Sequence, residues 1–213
     1  MTAAVIVDIV GSRLLSDREA AQAALDAALA RVAEEGPPSS VALRPTQGDE
    51  LQGVFETFDD ALAAILLLRL ALPDEVDCRF GVGIGAVGEV PSVSGGISEG
   101  PGWWAAREAI DRVHRMQRRA VTAARTWAET AADAEVETIA RVRTANAYLL
   151  ARDQIVTAMA ARVRRIVYAR CLGRTQREIA EAEGITQSAV SQQLTTSGAA
   201  AIVAGYALLR DGG

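Results

Sequence analysis

The run ALAAILLLRLAL, Ala61–Leu72, contains one charged residue, Arg69, and is otherwise apolar. It is too short to cross a bilayer, which takes about 20 apolar residues. It therefore reads as a helix buried in a core. A chain of 213 residues can supply that core as one large domain or two small ones. No basic segment precedes an apolar one at the N-terminus, so no signal peptide is expected. Cys78 and Cys171 lie too far apart for a zinc or redox motif and point to a reducing compartment. The expectation is a cytoplasmic protein with no membrane contact.

The segments around that helix alternate between strand and helix. AAVIVDIV reads as a strand. Ser16, with Glu19 three residues on, forms a capping-box pattern, and Leu25, Leu29 and Val32 recur at helical spacing. GPPSS, 36–40, breaks that helix. VALRPT, 41–46, and LQGVFETF, 51–58, are two short strands with Gly48-Asp49 at a hairpin tip. Asp59-Asp60 caps the apolar helix, and CRFGVGIGAV, 78–87, is a further strand. GEVPSVSGGISEGPG reads as a loop, and from Trp103 a helix is predicted to about Ala132. The order β-α-β-β-α-β-α predicts an α+β fold of the ferredoxin-like kind, with a mixed or antiparallel sheet.

Beyond Ala132 only helical signals appear. One or two helices end at Gly173, a short helical unit follows, and SGAAAIVAGYALLR closes the chain. Residues 1–132 and 133–213 are the expected domains, joined by a helical connector. Charge divides the same way. Residues 151–213 carry eight Arg against five acidic residues, while the whole chain has a net charge of −5. An acidic front and a basic tail suggest different partners. All basic residues are Arg, which is read as compositional bias.

Asp8 stands inside VIVDIVGSR, a strand-like stretch where an unpaired buried carboxylate costs several kcal/mol. It is either a strand-end residue capping a turn or a metal ligand. Gly11 permits a tight turn into the next helix, whose N-terminus favours phosphate. If the first strand lies beside the hairpin, Asp8 meets Asp49. Two such carboxylates need a cation or a shifted pKa. Mg²⁺ held by one or two carboxylates and nucleotide phosphates meets that need; separate turn-forming aspartates are the alternative. Trp103-Trp104 reads as one core and one interface indole, or as a stacking platform beside a loop carrying Gly95, Gly96, Gly100 and Gly102. His114, the sole histidine, has no assigned role.

In the tail, RTQREIAEAEGITQSAVSQQL, Arg174–Leu194, fits a helix-turn-helix. Ala180 is small where the helices cross, Gly184 makes the turn, and Ile179, Ile185, Val190 and Leu194 occupy core positions. Thr186 caps the second helix, which displays Gln187, Ser188, Ser191 and Gln192, side chains suited to base edges and phosphates. Arg174, Thr175 and Arg177 stand where the first helix of such modules meets phosphate. Glu183 takes a position usually apolar. A helical hairpin used only for dimerisation is the other reading. The run ARVRRIVYAR, 161–170, adds positive field or is a solvated face.

Taken in order, DIVGS, GDELQGVFETFDDAL, FGVGIGAV and GPGWWAAREA resemble the signature series of class III nucleotidyl cyclases. More closely, the chain resembles the SatD family, small bacterial proteins with a cyclase-like front and a helical, DNA-binding-like end. The resemblance implies metal ligation by Asp8 and Asp49. It implies nucleotide contacts from the turn Val10, Gly11, Ser12 and Arg13 and from Trp103 and Arg107. Two positions depart from the cyclase pattern: Pro45 replaces the base-recognising Lys, and Trp103 replaces the transition-state Asn. Neither can supply the lost hydrogen bonds, which argues against cyclisation. The function expected is a homodimeric DNA-binding transcriptional regulator responsive to a purine nucleotide with Mg²⁺. The alternative is a divergent nucleotidyl cyclase or nucleotide phosphohydrolase with a DNA-targeting tail.

Overall fold

The computed structural model describes residues 1–11, 17–46, 50–90 and 97–211. Ser12 and Arg13, of the predicted phosphate turn, and Asp49, the predicted second metal ligand, lie outside the described residues.

A five-stranded mixed sheet organises the chain. Its order is β2 (Val41–Pro45), β3 (Glu50–Phe55), β1 (Ala3–Ile9), β4 (Cys78–Ile84), β7 (Thr126–Thr130). The first four pair antiparallel with one another in that order, and β7 runs parallel to β4. A short ribbon of β5 (Gly88–Val90) and β6 (Ile97–Glu99) sits where a loop is expected. The helix predicted from Trp103 to Ala132 is interrupted. α3 spans Pro101–Gln117, and TWAET then forms β7.

Helices cover the two faces unequally. Ala3, Val5, Val7 and Ile9 face the large core, together with α1 (Arg18–Glu35) and α2 (Phe58–Ala71). Ala4 and Ile6 face α3 with Val54, Trp103, Ala106 and Ile110. α1 is capped by Asp17, whose carboxylate accepts from the Ala20 N–H; Ser16, the predicted cap, lies outside the described residues. Its buried stripe is Ala21, Leu25, Ala28 and Val32. α2 is capped by Thr57, with Asp59 and Asp60 in its first turn rather than at the cap. Nearly all of α2 is buried because the sheet lies on one side and α5 (Ala161–Cys171) and α8 (Ala199–Asp211) on the other. One apolar cluster consequently runs from β1 through α2 into α8.

α4 (Val136–Thr157) flanks β7 and closes the sheet edge. The Asn146 side chain accepts from the Ala128 N–H at 2.9 Å and donates to the Ala128 carbonyl at 2.8 Å, as a neighbouring strand would. Asp153 continues this, accepting from the N–H groups of Arg125 (2.6 Å) and Thr126 (2.7 Å). α6 (Gln176–Glu183) and α7 (Gln187–Thr196) complete the chain between α5 and α8. Among the described residues no helix is long and apolar enough to cross a membrane.

Candidate functional site

β4 carries glycine at alternate positions, which lets α3 lie directly on the strand. A Cβ at Gly83 would fall 1.9 Å from the Gly102 carbonyl oxygen, and one at Gly81 would fall 2.3 Å from that of Ala106. α3 is thereby fixed with Arg107, His114 and Gln117 above one end of the sheet.

At that end the register aligns three charged residues across three strands. Asp8 stands opposite Glu50 on one side and Arg79 on the other. All three share the face of Ala4 and Ile6, toward α3. Two acids directly opposite repel each other, and each is matched by an arginine. Arg79 donates to Asp8 Oδ2 at 2.7 Å and, through Nε, to Gln117 Oε1 at 2.6 Å. Arg107 grips Glu50 through two hydrogen bonds, 2.5 and 2.8 Å. Hydrogen bonding to Glu50 pushes the Arg107 guanidinium above its ordinary range. His114 Nε2 lies 3.3 Å from Asp8 Oδ2 and 3.0 Å from Arg79, so the sole histidine belongs to the site. Gln52 donates to Glu50 and accepts from Ser98, tying β6 to the row.

Of the residues expected here, Asp8 and Arg107 face the same row. Val10 and Gly11 follow directly, with Val10 N–H donating to the Asp77 carbonyl and Gly11 at φ +66°. Trp103 is packed into the small core under α3, 8 % exposed; its neighbour Trp104, 62 % exposed, presents the open indole. Pro45 pairs with Leu51 on the core face, whereas Arg44 pairs with Gln52 and shares the face of Glu50. Arg44 therefore stands on the site's side of the sheet, opposite to Pro45. Sequence reasoning missed Glu50, Arg79, His114 and Gln117. The signal for Arg79 was its position two residues before Gly81, on the face the glycines mark.

Among the described residues both contacts to Asp8 go to Oδ2 and none to Oδ1. That suits the common binding mode of Mg²⁺, one or two carboxylates plus phosphate oxygens. Among the described residues no three acidic, histidine or cysteine side chains gather into a closed metal cage.

The second expected site is α6–α7. Thr175 caps α6 in a capping box with Glu178, and Gly184 turns the chain at φ +63°. Thr186 caps α7, accepting from the Ala189 N–H at 3.1 Å. Ile179, Ala180, Val190 and Leu194 are buried, while Gln187, Ser188, Ser191 and Gln192 are exposed. Arg174 and Arg177 are exposed beside them, 3.9 Å from Glu35 and 3.6 Å from Glu181 respectively. Glu183 is held by Arg165 through two hydrogen bonds, 2.8 and 2.6 Å, which accounts for an acid at a usually apolar position. The arginine run of α5 thus spends Arg165 on Glu183, and Arg164 on Asp74 and the Leu72 carbonyl.

Fold and site together define a mixed α+β protein whose charged row lies under α3 and whose helical C-terminal part packs on the opposite sheet face. The chain belongs to the SatD family, whose model matches residues 2–204. No curated protein matches it. Similar solved structures include the guanylate cyclase domain of RhGC from Catenaria anguillulae in complex with GTP. It is 17 % identical, covers 52 % of this chain and 71 % of that one, and gives a TM-score of 0.40. The non-canonical dimeric guanylyl cyclase domain of the RhoGC fusion protein from Blastocladiella emersonii is 15 % identical, covering 52 % and 72 %, with a TM-score of 0.40. A bacterial light-regulated adenylyl cyclase is 14 % identical, covering 56 % and 71 %, also at 0.40.

Proposed function

We propose that the protein is a homodimeric, DNA-binding transcriptional regulator whose sheet end takes a purine nucleotide with Mg²⁺. The observation that carries this reading is α7. Its buried side, Val190 and Leu194, anchors it, and its exposed side presents Gln187, Ser188, Ser191 and Gln192 from a capped N-terminus. Helix-turn-helix modules read the major groove with such a surface. Arg174 and Arg177, exposed ahead of it, supply phosphate contacts, and Thr175 and Thr186 join them at the two helix starts.

The nucleotide part rests on the row beneath α3. Asp8, with Asp49, would hold Mg²⁺, and the ion would supply charge neutralisation for the phosphates. Arg107, half-exposed, offers the phosphates a guanidinium if it leaves Glu50. The Val10 N–H is held by the Asp77 carbonyl, so from the turn Val10, Gly11, Ser12 and Arg13 it is the backbone N–H groups after Val10 that would meet the phosphates. Binding that draws Arg79 and Arg107 from their carboxylates would loosen α3 on the sheet, giving ligand a route to the rest of the molecule.

The second reading, a divergent nucleotidyl cyclase or nucleotide phosphohydrolase, keeps the same ligand site. Pro45 on the core face and the buried Trp103 weigh against cyclisation. The experiment is binding of the full chain to its own promoter DNA across a salt series, with purine nucleotides titrated with and without Mg²⁺. Salt-dependent, sequence-selective binding that changes with nucleotide supports the regulator. DNA binding no tighter to the promoter than to random duplex, together with turnover of a triphosphate that Asp8→Ala abolishes, would establish the enzyme reading.

A further inference from the structure

The helical half and the sheet meet around an unbalanced set of charges, buried at its centre and open at its rim. Arg69, on α2, and Arg152, on α4, are both buried, and both direct guanidinium nitrogens at one carboxylate, Asp153, which is also buried. Arg69 Nη1 lies 2.5 Å from Asp153 Oδ1, and Arg152 Nη2 lies 2.8 Å from the same oxygen. Arg125 adjoins them with Asp77, and Arg164 with Asp74. Among the described residues this cluster holds four arginines against three aspartates. Burial and the neighbouring Arg152 press the Arg69 guanidinium down to about 10, against the pull of Asp153. A buried cation without its own counter-charge is costly.

A cavity of about 190 Å³ opens at this point, between the end of α2, the end of α4 and the start of α5. Arg69 lines it from the core side and Arg164 from the other. Thr157, also in the lining, accepts from Arg69 Nη2 at 3.0 Å, and among the described residues its hydroxyl donates to no partner. Arg164 donates to the Met159 and Leu72 carbonyls and to Asp74, but its buried Nε makes no hydrogen bond among the described residues. The cavity is smaller than the roughly 300–1,000 Å³ that drug-sized ligands occupy. Its lining joins two cationic donors and a hydroxyl to the carboxylates Asp74 and Asp77, which compete with an anion, and to apolar side chains such as Val76 and Val156.

We propose that this cavity binds a small oxyanion, phosphate or a compact carboxylate, between Arg69, Arg164 and Thr157. The bound anion supplies the missing negative charge. It also braces the α2–β4 connection of the sheet against α4 and α5. The site is separate from the Asp8 row, on the α2 face of the sheet, and the proposal does not depend on the nucleotide reading.

The test is thermal unfolding and calorimetric titration of the full chain with inorganic phosphate, at ionic strength held constant with chloride. Malonate and a nucleoside monophosphate serve as the other arms. Phosphate should raise the melting temperature saturably where chloride does not. A response to malonate as well marks the site as a general small-oxyanion site. A response to the nucleoside monophosphate equal to that of phosphate would overturn the size argument. Arg164→Gln keeps a side-chain donor for the Leu72 and Met159 carbonyls and should weaken phosphate binding about tenfold or more, the worth of a charge-assisted hydrogen bond. Asp74→Asn removes a competing carboxylate and should tighten binding about threefold or more. Asp8→Ala should leave the phosphate response intact. Phosphate binding unchanged in Arg164→Gln, or weakened in Asp74→Asn, would refute the site.

Discussion

Replacing Asn146 tests whether α4 truly stands in for a sixth strand. Its amide satisfies both backbone groups of Ala128, at distances of 2.9 and 2.8 Å, and both residues are buried. Asn146→Ala strips a donor and an acceptor from the edge and leaves the Ala128 N–H and C=O without partners. Each orphaned group costs about 1–3 kcal/mol, so the sum is about 2–6 kcal/mol. That is a large share of the roughly 5–15 kcal/mol that holds a typical domain. Urea unfolding followed by circular dichroism gives the number as a shift in midpoint at constant slope. Asn146→Asp refines the test because it preserves shape. Ionised, the new carboxylate still accepts from the N–H but opposes the Ala128 carbonyl; protonated, it donates to that carbonyl again. Its carboxyl should therefore titrate higher in the folded state than in the unfolded one. Relative to the parent at each pH, its stability should be greatest below the ordinary carboxylate range and fall as pH rises through the raised folded value. A loss under about 1 kcal/mol in Asn146→Ala, or an Asn146→Asp penalty that ignores pH, would mean that water reaches the edge and the strand analogy fails.

Asp153 gives the opposite pH sign. Burial alone would raise its pKa, but Arg69, Arg152 and the Arg125 N–H hold it below the ordinary value. Its contribution is present above the unfolded carboxylate pKa, about 3.9, and is lost as pH falls through the depressed folded value; Asp153→Asn should remove that dependence and cost about 3–5 kcal/mol by stranding two buried arginines, read from acid unfolding curves. Gly83→Ala should lower the melting temperature steeply or abolish soluble expression, since its Cβ would sit 1.9 Å from a backbone oxygen of α3; a variant within a degree or two of the parent would show that α3 can lift away at little cost. In the tail, Gln187→Ala and Gln192→Ala should each cost about 1–3 kcal/mol at one base position, whereas Arg174→Ala and Arg177→Ala should weaken all DNA sequences alike and reduce the salt slope by about one each, all measured by fluorescence anisotropy.

Much of the sheet could be read directly. The apolar run of β1, the hairpin of β2 and β3, and the apolar stretch of α2 each carry their signal within a few residues. β7 does not. TWAET lies in an alanine-rich stretch that favours helix, and it becomes a strand because β4 offers it a partner and α4 satisfies its other edge. Asn146 and Asp153 look like ordinary polar positions of a surface helix until β7 is known to lie beneath them. The charged row is similar. Asp8 was conspicuous by itself, but Glu50, Arg79 and His114 join it only through strand register and the tilt of α3. Trp103 was legible as one of a pair with different surroundings; which indole went inside was decided by the small cluster against Ile6 and Val54.

The plug that Asn146 places on β7 also limits how copies of this chain can associate. A sheet with two bare edges can add strand after strand and grow into a fibre. Here one edge of the five-stranded sheet is already satisfied from within, so joining through that sheet is confined to β2, itself interrupted by a bulge between Val41 and Arg44 and ended by Pro45. Two copies meeting edge to edge through β2 would each present a plugged β7 outward. Such an assembly stops at two.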